Sequence, residues 1–371
     1  MDGLSRALVA GGVRVSVLTT DAFDGERRAG TPPDRDHAGV RVLTVRNASN
    51  HAAFAHQLFT PRGVGEALER LQDGPPVDLL HIHGHRNLLE RAAVDAAHSW
   101  GVPYVLTTNG TLARHERKIG VKLVWDSTIG RGVVEGAARC VAVSGHDIAA
   151  HRRAGVPADR IARIPNGLDL AEFSPLPERG TFRARHGLGE RPLVAYLGQV
   201  SPRKGVGHLV DAFADGGPEG ACLVVAGPDM GAMAEARARV RGDVRFVGTL
   251  EGRERLELLA DTDVLVYAST AEIFGLVPFE GLLCGAPVVV ADDCGCGELI
   301  AEAGAGLLVR HGDVSGLRAR IRTLLADRVA ARAMVSRGRA FITARLGFEA
   351  VAAQHRDLYA AILASSPGSP A

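Results

Sequence analysis

A chain of 371 residues, 46% hydrophobic and 23% charged, has the composition of a globular protein and is long enough for two cores rather than one. Its net charge of +1 supplies no global basic field, which excludes charge-driven nucleic-acid binding. The sequence holds neither a long apolar run nor a signal-peptide pattern, and its five cysteines are odd in number and irregularly spaced, so membrane span, secretory leader and disulfide framework are all unexpected and a reducing cytoplasm fits.

The chain opens on a helical pattern over 1–10, then a strand near 13–19. Further strands are expected near 40–45, 79–83, 104–108, 140–143 and 161–164, with helices such as 63–72 and 87–100 between them. The stretch PNGLDLAEFSPLPERG at 165–180 is rich in turn formers and reads as a linker. Strands near 193–197, 222–226, 244–247, 264–267 and 288–290 follow, each trailed by a helical segment. The strands are near-continuous apolar runs, as in parallel sheets covered on both faces. Two such halves predict an α/β protein with two doubly wound, Rossmann-like domains facing across a cleft, over 1–175 and 176–345, with a last helix at 346–364 crossing back to the first domain. The tail SSPGSPA is expected to be disordered. A doubly wound domain normally begins with a central strand and its glycine-rich turn; neither precedes Met1, so the first domain is expected to lack its usual first strand.

In the first half, His81, His83 and His85 alternate at strand spacing, but the strand is expected to stop near Gly84 and break their common face. A hydrogen-bonding role, a substrate contact and a metal site are all open, with His83 the preferred substrate contact. Asn109, in TTNGTL after a strand, is a candidate sugar or acceptor contact. The segment 113–131 mixes Arg114, Arg117, Lys118, Lys122 and Arg131 with Ile119, Leu123, Val124 and Trp125. It reads either as a packing helix with a solvated face or as a peripheral contact with the inner face of a membrane or a lipid phosphate.

The second half carries the denser signals. GQVSPRKG at 198–205 follows a strand and precedes a helix, placing Lys204 against the helix dipole, a cost that a bound anion would offset. In EIFGLVPFEGLLCGAPVVV at 272–290, Gly275 permits a tight turn, Pro278 suits a first helical turn, and Gly285 and Pro287 end the helix. Phe274, Gly275 and Leu276 would then offer backbone N–H groups to an anion. Glu272 precedes the helix and Glu280 lies on it, so one carboxylate can face a sugar while the other accepts two ribose hydroxyls. In DDCGCGELI, Gly295 and Glu298 sit in a turn suited to phosphate or sugar hydroxyls; Cys294 and Cys296 lack a second cysteine pair, which leaves metal or redox use the weaker alternative.

These segments resemble the family 4 retaining glycosyltransferases of the GT-B fold, and the resemblance runs over nearly the whole chain. EIFGLVPFE resembles the family's E-x7-E signature, PNGLDLAEFSP its interdomain element, YLGQVSPRKGVGHLVDAF its GRLxxxKGxxxLxxAF segment, and CGCGELI its GGxxEII loop. The resemblance implies a retaining, metal-independent hexosyltransferase of the kind used in polysaccharide biosynthesis. It would need no cofactor beyond a nucleotide-sugar substrate, such as a UDP- or GDP-sugar. That donor would be held mainly by the second domain, and a glycan, lipid-linked or small-molecule acceptor mainly by the first. It implies that Lys204 binds the donor diphosphate, with Arg203 and Gln199 beside it. Gln199 stands where the family usually has Arg, and Asn109 where it often has His. Glu272, Lys204 and His83 are the candidate catalytic residues.

Retention through a double displacement requires a carboxylate nucleophile. No first-domain carboxylate has that context, so a front-face route in which the leaving phosphate helps deprotonate the acceptor fits better. Three rivals are weighed. A dehydrogenase lacks support because no G-x-G-x-x-G follows a strand. An N-terminally incomplete, non-catalytic nucleotide-sugar-binding protein is motivated by the first strand, because omitting a central strand would leave two open edges and split the ladder. A nucleotide-sugar epimerase would turn over without an acceptor.

Overall fold

The computed structural model describes residues 1–24, 26–30, 32–56, 59–112, 125, 130–214, 217–218 and 220–365. Of the basic segment 113–131, only Trp125, Gly130 and Arg131 are among them, so its expected membrane contact lies outside the described residues, as does the end of the tail, 366–371. The chain divides into two compact units, one of Met1–Gly167 with Phe348–Ala371, the other of Leu168–Gly347.

The second unit is built on a six-stranded parallel sheet in the order β11-β10-β9-β12-β13-β14, where β9 is Leu193–Leu197, β10 Cys222–Ala226, β11 Val244–Gly248, β12 Val264–Tyr267, β13 Val288–Ala291 and β14 Gly306–Val309. Every residue of β9, β10, β12 and β13 is buried, because helices cover both faces. This is the doubly wound order, and the chain reverses direction of growth between β9 and β12. Ligands in such sheets bind beyond the carboxyl ends of the strands at that reversal. The core here combines Val194, Tyr196, Leu223, Val225, Val264 and Val266 with Leu209, Val210, Leu317 and Ile321 from the covering helices.

The first unit holds two separate sheets among the described residues. One joins β1 (Ser16–Thr20) to β3 (Val40–Asn47) in parallel, with β2 (Asp34–His37) and β4 (Pro61–Arg62) antiparallel to β3. The other is the parallel run β5-β6-β7-β8, formed by Leu80–His83, Tyr104–Thr107, Arg139–Ala142 and Ile161–Ile164's first three residues, Ile161–Arg163. No ladder joins β1 to β5 among the described residues. The helix Phe348–Ser365 packs Val351, Leu358 and Ile362 against Leu4, Val105, Val141 and Ile164. Side-chain caps fix helix starts here: Asn87 accepts from the Leu89 N–H, and Ser144 accepts from Asp147 N–H while Asp147 accepts from Val143 N–H.

Two features differ from the sequence expectation. The division falls at Gly167 and Leu168 rather than at 175 and 176, because Leu168 N–H donates to the Leu346 carbonyl and the turn Leu170–Phe173 packs on the second unit's helix Val277–Cys284. Three strands were not expected: β2, whose DRDH sequence is all charged or polar, the two-residue β4, and the short edge strand β14.

Candidate active site

The loop after β9 and the loop after β12 leave the sheet on either side of the reversal point and meet. Lys204 ends the 3₁₀ turn Pro202–Lys204 that follows β9. Its ammonium donates to the Tyr267 hydroxyl at 2.9 Å and pairs with the Glu272 carboxylate. Tyr267, the last residue of β12, donates its own hydroxyl to Glu272 Oε2 at 3.0 Å, and the Lys204 ammonium lies 5.1 Å from the Tyr267 ring centre. Burial by itself would raise the Glu272 pKa, but the Lys204 charge, the two hydrogen bonds and Arg203 outweigh it and hold the carboxyl below its usual range. Burial, reinforced by Glu272, pushes the Tyr267 phenol far up, so it stays a neutral donor.

Backbone contacts lock these loops together. Thr270 N–H donates to the Arg203 carbonyl at 2.9 Å, and its hydroxyl donates to Asp293 Oδ2 at 2.6 Å. Gly295 N–H donates to the Glu272 carbonyl at 2.9 Å, which commits that N–H internally. Ala271, immediately before Glu272, has φ of +53°, a left-handed conformation that a non-glycine residue holds at a cost. Gly275 has φ of +77°, and a Cβ there would lie 3.0 Å from the Tyr267 ring and 3.1 Å from the Cys296 sulfur. The turn therefore runs close over the floor of the site.

Glu280 stands in the first turn of the helix Val277–Cys284, whose N-cap is Leu276. Phe274 is buried with its ring 5.6 Å from Phe279, so its side chain belongs to the core while its backbone lies at the site; Leu276 is exposed. Gln199 is exposed, and its carbonyl accepts from Tyr196. Glu298 is half-buried in the first turn of the helix Gly295–Ala303. Cys294 and Cys296 are buried free thiols whose sulfurs lie 3.3 Å apart. Among the described residues no group of three or more His, Cys, Asp or Glu could hold a metal.

In the first unit, β5 ends at His83 and Gly84 turns with φ of +95°. His81 bonds Tyr359 at 2.6 Å through Nδ1 and Thr107 at 2.7 Å through Nε2, which makes it a cross-link. His83 stacks on His81 with ring centres 4.2 Å apart. Burial, the Met1 amine and His355 push the His83 pKa down to about 3. His85 turns away and bonds Thr111 at 2.8 Å. Asn109, exposed with φ of +48°, follows β6. His83 and Asn109 thus stand at the carboxyl ends of the neighbouring strands β5 and β6, whereas His81 lies within β5.

The family described as Glycosyl transferases group 1 matches residues 178–341, and that described as Glycosyltransferase Family 4 matches residues 1–172. A D-inositol 3-phosphate glycosyltransferase of Xylanimonas cellulosilytica is 31% identical, over 96% of this chain and 89% of its own. The chain belongs to this glycosyltransferase family. Among solved structures, the sucrose-phosphate synthase of Thermosynechococcus elongatus is 25% identical with a TM-score of 0.76, over 98% of this chain and 92% of the other. HepE of Anabaena, in complex with UDP-glucose, has a TM-score of 0.70 at 20% identity, over 93% and 99%. The GT-B fold expected of the glycosyltransferase is therefore confirmed by its structural neighbours.

Sequence reasoning missed several residues of this glycosyltransferase's site. Tyr267 read only as the end of an apolar strand, Thr270 belongs to no motif, and Asp293 lies in DDCGCGELI but was not singled out there. A hydroxyl-bearing ring at the carboxyl end of the strand next to the reversal was the one signal that could have singled out Tyr267.

Proposed function

We propose that this glycosyltransferase is a retaining enzyme that transfers a sugar from a nucleotide-sugar donor, bound by the second unit, to a hydroxyl of a glycan, lipid-linked or small-molecule acceptor. The observation that carries the reading is the Lys204–Tyr267–Glu272 constellation at the sheet's reversal point. HepE, whose structure contains UDP-glucose, supports a donor of that class.

Lys204 would contact the donor diphosphate and offset the charge that grows on it as the anomeric C–O bond breaks. A diphosphate carries more charge than one carboxylate and would draw the ammonium from Glu272. Glu272, held ionised, would accept hydroxyls of the sugar, and Glu280 hydroxyls of the ribose. Phe274, Gly275 and Leu276 would present backbone to the phosphates. The bonding electrons of the anomeric C–O bond leave with the nucleoside diphosphate. The acceptor hydroxyl attacks from the same face and passes its proton to the departing phosphate oxygen, which retains configuration without a protein nucleophile. His83 and Asn109 are the first-unit candidates for contact with sugar or acceptor. Lys204 and the backbone N–H groups would take the place of a metal.

No helix among the described residues is long and apolar enough to cross a membrane. Free thiols at Cys140, Cys222, Cys284, Cys294 and Cys296 support a cytoplasmic site of action, with peripheral contact through 113–131 where the acceptor is lipid-linked.

The reading is tested by nucleotide release from UDP-, GDP- and ADP-sugars with and without candidate acceptors, in the presence of a chelator. Expected are acceptor-dependent release of one nucleotide, insensitivity to chelation, and a product with the donor's anomeric configuration by NMR. An inverted product, or activity abolished by the chelator and restored by a divalent cation, defeats it.

A further inference from the structure

Glu280 does not stand alone. Arg255, on the helix Gly252–Asp261, places Nη1 2.7 Å from Glu280 Oε2. The same guanidinium places Nη2 3.1 Å from Glu172 Oε2, in the 3₁₀ turn Leu170–Phe173, and lies 6.0 Å from the Phe173 ring centre. Arg255 and Glu280 are largely withdrawn from water, at 22% and 14% side-chain exposure, whereas Glu172 is 57% exposed. One planar fork thus joins two carboxylates on different elements.

A glutamate has three side-chain torsions, and a carboxylate that is to read two adjacent hydroxyls must be fixed in all of them. Fastening one oxygen to a guanidinium does this and still leaves lone pairs on both oxygens for the ligand. An ammonium can touch two acceptors but does not hold them in one plane, because its donors rotate on a flexible stem whereas the guanidinium fork is rigid. We propose that Arg255 is a positioning residue for nucleotide recognition: it aims the Glu280 carboxylate at the ribose, and Glu172 steadies Arg255. The proposal rests on the donor site assigned above.

The test measures affinity by calorimetry for UDP, GDP and ADP, and for the 2′-deoxy form of whichever binds best. The proteins are the full chain and its R255K, R255Q, E172Q and E280Q variants, with melting temperatures recorded alongside. The full chain is expected to prefer the ribonucleotide by roughly tenfold, the effect of one hydrogen bond to a charged acceptor. R255K and R255Q are expected to lower that preference to the level of E280Q, and E172Q to give an intermediate value. E172Q keeps the test decisive if an Arg255 variant fails to fold, since Glu172 lies at the surface; an unchanged ratio in E172Q then overturns the arrangement. A lowered melting temperature with the wild-type ribose preference in R255K overturns it in favour of a purely structural ion pair. A sharper preference in R255K overturns it by making Arg255 a competitor of the ribose. If the full chain binds no nucleoside diphosphate, the donor-site reading itself falls, and this role with it.

Discussion

At the scale of single residues, the site is a matter of charge balance. Lys204 and Glu272 are both mostly buried and neutralise one another, with Tyr267 donating to the same carboxylate oxygen. The two should separate by kinetics. Lys204→Ala removes the cation that would meet the leaving diphosphate, so kcat/KM is expected to fall about 10²- to 10³-fold, with weaker nucleoside diphosphate binding. Glu272→Gln keeps the shape and frees Lys204 from its partner. Nucleoside diphosphate affinity is expected to hold or rise while turnover falls, roughly 10²-fold. A Glu272→Gln enzyme that turns over at the wild-type rate would remove Glu272 from the catalytic set. The sequence made Glu272, Glu280 and Lys204 legible because each sits in a motif whose spacing encodes a loop and a helix start. Their supports were not legible, because Tyr267 reaches Lys204 across 63 positions and Arg255 bonds Glu172 across 83, and no local pattern announces such pairings.

At the scale of elements, the site is three loops tied at their backbones, those after β9, β12 and β13. Gly205 is where this tolerates least change. Its φ is +68°, and a Cβ would fall 2.4 Å from the Ala268 carbonyl oxygen, a backbone atom that cannot swing aside. Gly205→Ala is expected to cost about 2–3 kcal/mol in urea unfolding and to raise the donor KM, because Lys204 is its neighbour. Gly231→Ala is the control in the same unit: φ is +96°, yet nothing lies within 4 Å, so only the conformational cost of about 1 kcal/mol should appear, without a KM change. Equal effects at the two positions would mean that the packing of Gly205 contributes nothing. β9, β10 and β12 were readable to the residue because their apolar runs are Val- and Leu-rich, too short for a helix and bounded by turn formers. β2 was invisible because pairing with β3 holds it at an exposed edge, where its polar residues are tolerated but carry no strand pattern of their own. The Arg41–Asp34 cross-strand pair, seen only once β2 and β3 are aligned, is part of that pairing.

At the scale of the whole molecule, the first unit carries an acid sensitivity that its sequence composition does not suggest. His81, His83 and His355 cluster with Tyr359 at the junction of β5 and the last helix, with ring centres 4.2 to 6.0 Å apart. Burial is the first cause in each case and pushes all three pKa values down, His83 to about 3 and His81 well below its ordinary value. The unfolded chain, with ordinary histidines near 6.5, therefore binds more protons than the folded one between that value and the depressed ones. The stability from these neutral rings is complete above pH 6.5 and is lost as pH falls below it. Glu90 acts with the opposite sign: burial raises its pKa to about 7, so the folded state holds its proton over the range where an unfolded glutamate has released it. Asp147, also raised by burial, adds to Glu90. On unfolding, Glu90 with its pKa of about 7 gives up about one proton, while His81 and His83 alone take up more than that, so the balance is a net uptake. Stability should then fall as pH drops from 6 to 5, by about 1.4 kcal/mol per pH unit for each net proton taken up. Urea unfolding at several pH values reads this slope directly. His83→Gln should flatten it by close to one proton's worth and Glu90→Gln should steepen it; a slope that ignores both substitutions would place the acid sensitivity elsewhere.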